Sequence, residues 1–141
     1  MAIGIKYNQE ILKYMKIFEN ITRTRLKDCF EDKKGVINFF IDKKMAGKAI
    51  GKNGVNVRRI SEALNRKIRI VAYSDDLKTF LNNLLFPNVV EDIEINDSVV
   101  ILKDKDFQKK SRIIGSKASN LRNYEYIVQR FFPFVEEIKV V

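Results

Sequence analysis

The 141 residues suffice for one ordinary domain or two very small ones, and 45% of them are apolar with no Pro- or Ser-rich tract between, which excludes a largely disordered chain. There is no histidine and one cysteine, Cys29, so an intrachain disulfide, a zinc cluster and histidine acid–base catalysis are excluded. The net charge is +9, concentrated in residues 1 to 73, where 17 Lys and Arg face 7 Asp and Glu for a net +10; residues 74 to 141 sum to −1.

Apolar runs such as Val36 to Ile41, with Asn38 inside, fall far short of a bilayer span. Asn8, Gln9 and Glu10 interrupt the apolar core that a signal peptide would need within Met1 to Lys16. No membrane partner and a cytoplasmic location are expected, in keeping with a lone cysteine in a reducing compartment.

Ile11, Tyr14, Met15 and Phe18 recur at helical spacing and predict an amphipathic helix from about Asn8 to Asn20. Arg25 to Phe30 and Val36 to Ile41 read as a hairpin around Asp32-Lys33-Lys34-Gly35. Lys44 to Ile50 forms a short helix, Gly51 to Gly54 a turn, and Val57, Ile60, Ala63 and Leu64 the stripe of another helix. Ile68, Ile70 and Ala72, alternating with Lys67, Arg69 and Val71, predict a closing strand.

Asp75 or Asp76 then caps a helix carrying Leu77, Phe80, Leu81, Leu84 and Leu85, which Pro87 stops. Strands are expected at Val89 to Ile95 and Ser98 to Lys103, a short helix into Ile114, a turn, and a helix striped by Leu121, Tyr124, Val128 and Phe131. Val135 to Val141 closes the chain. Shifting the sequence by 64 positions aligns Ile50-Gly51 with Ile114-Gly115, Asn56-Val57-Arg58 with Asn120-Leu121-Arg122, and Lys27-Asp28 with Glu91-Asp92. Both halves read helix, strand, strand, helix, turn, helix, strand. The expectation is α+β, with two copies of a three-stranded sheet covered by three helices, in residues 1–74 and 75–141.

Lys43 to Arg69 holds nine basic residues, among them Lys48, against the single acid Glu62, the density expected of a nucleic-acid surface. At its centre Gly51-Lys52-Asn53-Gly54 lacks side chains at both ends, so a phosphate can approach the backbone. Lys52 adds charge, and the following helix turns its N-terminal amides and positive dipole end toward the same place.

The string Ile50-Gly51-Lys52-Asn53-Gly54-Val55-Asn56-Val57 resembles the glycine loop of a KH domain, which clamps about four nucleotides of single-stranded RNA. The helix and strand ahead of the motif match the type II topology, so the resemblance implies two tandem type II KH domains. Two such units in one chain resemble the archaeal NusA-like transcription factors, over essentially the whole length. The resemblance implies a role in transcription elongation, termination or antitermination, with RNA polymerase as a further candidate partner. It also implies an apolar groove for bases, lined by Ile50, Val57 and Ile70 with Arg58 or Arg69 at its edges; Ile70 reads equally as core. In the second copy, Gly115-Ser116-Lys117-Ala118, alanine replaces the last glycine. Ala118 can start a helix, but its methyl group stands where the nucleic-acid backbone would approach. Arg112, Gly115, Ser116, Lys117 and Arg122, with Lys109 and Lys110 beside them, form an auxiliary RNA site or serve structure alone.

No catalytic residue, cofactor, metal or small-molecule substrate is expected. No GxxxxGK[ST] string occurs, so Lys52 does not mark a nucleotide-hydrolysing loop. Asp92, Glu94, Asp97, Asp104 and Asp106 could in principle hold Mg²⁺ but read as solvated turns. Tyr7, Tyr14, Phe18, Phe39, Phe40, Phe131, Phe132 and Phe134 mostly fall on core stripes and Cys29 on a packed strand. Two rivals remain open: a module docking on RNA polymerase or a ribosomal particle, and a nucleic-acid chaperone acting through charge alone.

Overall fold

A computed structural model describes residues 7–141; the first six residues of the Met1-to-Lys16 stretch and of the expected first domain lie outside them. The chain divides into two compact units, one running to Glu31 and resuming at Gly35–Tyr73, the other Asp32–Lys34 with Ser74–Val141. Each is α+β and holds one three-stranded sheet.

In the first unit, α1 (Gln9–Thr22) starts where the Asn8 side chain accepts from the Ile11 N–H at 2.8 Å and stops at Arg23, which takes the left-handed conformation. It buries Ile11, Tyr14 and Phe18, as the spacing predicts, and runs two residues beyond Asn20. β1 (Leu26–Glu31) pairs antiparallel with β2 (Ile37–Asp42), and β3 (Ile68–Tyr73) lies parallel to β2 at the sheet edge. Parallel neighbours need a crossover. Here α2 (Lys43–Ile50) and α3 (Val55–Leu64) supply it and carry the glycine turn between them.

Ile37, Phe39, Ile41, Ile68 and Ile70 contribute to the core beneath these helices, together with Ile11, Phe18, Ala49 and Ile60. Phe18 stacks on Phe39 with ring centroids 4.5 Å apart. Each such fully buried side chain contributes roughly 1.5–3 kcal/mol. Cys29 is buried in the same core. Along α3, Ile60 and Leu64 are buried and Val57 half-buried, but Ala63 is exposed, contrary to its expected place in the stripe. An alanine is too small to force its own side of a helix inward.

In the second unit, α4 (Leu77–Leu85) is capped by Asp76, whose carboxylate accepts from the Thr79 N–H and hydroxyl. β4 (Asp92–Asn96) pairs antiparallel with β5 (Val99–Lys103), and β6 (Glu137–Val140) runs parallel to β5, the crossover being α5 (Phe107–Ile114) and α6 (Ser119–Phe131).

β4 is shorter than the expected Val89 to Ile95, because side chains take the backbone groups a ladder would use. The Val89 carbonyl accepts from Lys109 Nζ at 2.7 Å and the Glu91 N–H donates to Asp104 Oδ2 at 3.1 Å. β6 likewise falls short of Val135 to Val141, since Val135 closes a turn onto the Phe132 carbonyl. On α6, Leu121 and Val128 are buried, whereas Tyr124 and Phe131 are half-buried. Ile127, Asn123 and Glu125 take inward places that the apolar pattern did not assign. Phe134, expected in the core, is 53% exposed.

Candidate nucleic-acid interface

α2 ends at Gly51, whose φ of 79° and ψ of 164° suit glycine alone. Space demands glycine as well: a Cβ would lie 2.9 Å from Val55 Cγ1 and 3.1 Å from Asn56 Cγ. Asn53 and Gly54 follow with φ of 56° and 71°, so the chain turns through three left-handed residues in four and enters α3.

The N–H of Gly54 donates to the Gly51 carbonyl at 3.1 Å and that of Val55 to Lys52. Two amides expected to face a phosphate are therefore satisfied within the turn. The attraction for an anion rests on side-chain charge and on the open backbone.

Two side chains of α3 brace the turn. Asn56 Nδ2 donates to the Lys48 carbonyl at 3.2 Å, and an Arg58 guanidinium nitrogen donates to the Asn53 carbonyl at 2.8 Å. Over Gly54 the protein leaves room: the nearest heavy atom to an added Cβ is that same Arg58 nitrogen, 3.9 Å away. Lys48, Lys52, Asn53 and Arg58 are exposed, as are Lys43, Lys44, Arg59 and Lys67 elsewhere in the basic segment.

Not every basic residue of the segment is available. Arg66 pairs with Glu31 at 2.9 Å and donates to the Gly35 carbonyl. Arg69 donates to the buried Asn38 at 2.8 Å. Because side chains alternate along β3, Ile68 and Ile70 face the helices and Arg69 the opposite side of the sheet. The structure thus separates Arg69 from the expected groove. Ile50, Val57 and Ile70 are each half-buried, with Ile70 packed on the core.

The second loop repeats the same backbone. Gly115, Lys117 and Ala118 have φ of 74°, 54° and 60°. Gly115 donates to Ser111 and Ala118 to Gly115, as Gly51 does to Gly47 and Gly54 to Gly51. Asn120 Nδ2 donates to the Arg112 carbonyl at 3.0 Å, the counterpart of Asn56. Ala118 is therefore not a comfortable helix start: it is held left-handed, at roughly 1–2 kcal/mol for a residue with a Cβ.

The side chains around this loop differ more than its backbone. Arg122 pairs with Glu125 three residues on at 2.9 Å, and the Arg112 Nε donates to Asn88. Ser116 and Lys117 are exposed. In the same unit, Phe107 and Phe86 are 77% and 74% exposed. The pattern had signalled neither, because a single aromatic at a helix end carries no periodicity.

Three of the five carboxylates that could in principle hold Mg²⁺ have other tasks. Asp104 accepts from Lys109 Nζ and from the N–H groups of Glu91 and Asp106, and Asp106 caps α5. The Lys109 ammonium, more than the backbone donors, holds the Asp104 carboxyl below the usual carboxylate range. Glu94 pairs with Lys103. Among the described residues no group of three potential ligands could hold a metal, and no helix is long and apolar enough to cross a membrane.

Residues 36–83, from β2 through the first glycine loop and into α4, match the KH domain. The fold and loop define a KH-containing α+β protein. Similar along nearly the whole chain are proteins named Probable transcription termination protein NusA. That of Methanococcus vannielii is 33% identical, covering 97% of this chain and 80% of its own; that of Methanocaldococcus jannaschii is 30% identical, covering 94% and 73%. The Thermoplasma acidophilum protein is 29% identical over 91% of this chain and 90% of its own. The crystal structure of APE1850 superimposes with a TM-score of 0.78 at 28% identity, covering 96% of this chain and all of that one. The chain belongs to the NusA-like family that these relatives represent.

Proposed function

We propose that this protein binds single-stranded RNA and acts in transcription elongation, termination or antitermination, with the Gly51–Gly54 loop as its principal clamp. The observation that carries the reading is the open space over Gly54, bordered by a guanidinium that the loop itself holds in place, in a loop whose Lys52 is exposed. Ala118 holds the same left-handed position with a Cβ, so the backbone alone does not demand glycine, and a methyl over Gly54 would meet no protein atom closer than 3.9 Å; the open face suits a group from outside. A nucleic-acid phosphate has the right charge and size.

In this reading residues 1–74 and 75–141 are two tandem type II KH domains, supported by the order helix, strand, strand, helix, turn, helix, strand in each and by the parallel closing strand. Lys48, Lys52, Asn53 and Arg58 meet the sugar–phosphate backbone, while Ile50, Val57 and Ile70 border the bases. Gly51 and Asn56 shape the loop. Arg69, on the other face of the sheet, lies outside this path. Arg112, Gly115, Ser116, Lys117 and Arg122 are the auxiliary positions, and with Arg122 paired to Glu125 and Arg112 bonded to Asn88 the second loop serves structure first. The family membership supports the transcriptional role and RNA polymerase as a partner.

A second reading, docking on a protein partner, draws on the exposed Phe86 and Phe107. Fluorescence anisotropy with short single-stranded RNAs separates the two. Lys52→Asp with Asn53→Asp should lose most affinity and Lys117→Asp little, with folding checked by circular dichroism. Retention of affinity by the first variant would overturn the clamp and favour docking. Equal competition by single-stranded DNA would favour a chaperone acting through charge.

A further inference from the structure

Arg58 and Arg122 stand at equivalent places, four residues after the last position of each loop, yet their guanidinium groups do different things. Arg58 reaches back to the loop and donates to the Asn53 carbonyl at 2.8 Å, which places its charge at the open face of Gly54. The equivalent acceptor in the second loop is the Lys117 carbonyl. Arg122 instead pairs with Glu125 at 2.9 Å.

Glu125 is fixed there. Its residue is 7% exposed, and its other carboxylate oxygen accepts from the Ile138 N–H of β6 at 2.7 Å. The position three residues after Arg58 holds Ser61, which carries no charge and donates to the Arg66 carbonyl at 2.7 Å. One inward carboxylate on α6 therefore distinguishes the two arginines, on loops whose backbones are alike.

We infer that Glu125 silences the second loop toward nucleic-acid phosphate by holding Arg122 away from it, whereas Ser61 leaves Arg58 to serve the first. The anion site at each loop then needs two things: an open last position and an arginine braced on the loop carbonyl. The first loop has both and the second neither. This rests on the proposed RNA clamp and adds the residue that confines it to one loop.

The test uses the full chain with the first loop disabled by Lys52→Asp and Asn53→Asp, and a labelled single-stranded RNA octamer read by anisotropy. Adding Ala118→Gly with Glu125→Gln should raise affinity about tenfold, the scale of one charge-assisted contact. Glutamine keeps an acceptor for the Ile138 N–H, and a thermal melt checks the fold. Adding Arg122→Ala should abolish the gain. No gain, or a gain that survives Arg122→Ala, overturns the inference.

The mirror experiment in the otherwise unaltered chain is Ser61→Glu against Ser61→Gln, both of which replace the hydroxyl that donates to the Arg66 carbonyl, with a thermal melt of each to check the fold. The acid should weaken binding several-fold more than the amide, and equal affinities also overturn the inference. If disabling the first loop leaves wild-type binding intact, the clamp reading has failed. The gain at the second loop then still reports on Glu125.

Discussion

Gly54 and Ala118 occupy the same left-handed backbone position, with φ of 71° and 60°, although only one of them lacks a side chain. The shape of the turn therefore does not come from its last residue. It comes from the flanks, which the two loops share: a glycine at the end of the preceding helix and an asparagine whose amide ties the next helix back to a carbonyl of the first. What differs is the chemistry offered outward, a bare backbone in one loop and a methyl group in the other.

The sharpest way to break this comparison is at the first glycine. Gly115→Ala would put a Cβ 2.6 Å from Asn120 Cγ at a backbone conformation reserved for glycine, and Gly51→Ala would meet Val55 and Asn56 at 2.9 and 3.1 Å. Each should cost about 3 kcal/mol in urea unfolding, Gly115→Ala the more. Equal stability to wild type would mean that the flanks do not set the turn. Removing the tether should cost less: Asn120→Ala and Asn56→Ala should each lose about 1 kcal/mol, read the same way.

At the last position the two loops should respond with opposite sign. Gly54→Ala costs about 1 kcal/mol in stability through its left-handed φ, and Ala118→Gly returns about as much. Only Gly54→Ala should also lower RNA affinity, by about tenfold, because its methyl enters space that the protein itself leaves open. If Gly54→Ala binds RNA like wild type, the open face over that glycine is not where the backbone lies.

The helices with long apolar stripes, α1 and α4, were legible in the sequence, and so was the first loop, where glycine and lysine stand together at a helix boundary. Other features had no local signature. Alanine prefers the right-handed region, so nothing in Ser116-Lys117-Ala118 announced a left-handed residue. Asn123 and Glu125 lie outside any apolar stripe, because a polar residue turned inward is betrayed only by its partner, here for Glu125 an N–H of β6 distant in sequence. The start of β4 was misjudged for a similar reason. Val89 and Val90 favour a strand intrinsically, but Asp104 and Lys109, 13 and 20 residues away, take the backbone groups on either side. Arg69 could have been placed by the alternation of its own strand, since Ile68 and Ile70 had already claimed the helix-covered face.

The smallest expected effect concerns pH and divides the two units rather than the two loops. Asp104 gathers the Lys109 ammonium and the N–H groups of Glu91 and Asp106, and its carboxyl is held below the usual range, chiefly by Lys109. A carboxyl whose folded value lies below its unfolded one contributes stability that is complete above the unfolded value, and this is lost as pH falls through the folded one. Asp104→Asn removes that charge, so the variant should be less stable than wild type at neutral pH, and the gap should narrow as pH drops below the ordinary carboxylate range. Urea midpoints across that range check it. A gap that stays constant with pH would assign the cost to lost geometry at the β4 entry rather than to the Asp104–Lys109 pair. Amide exchange would add where the change occurs: β4 and α5 should loosen in acid before the core around Phe18 and Phe39.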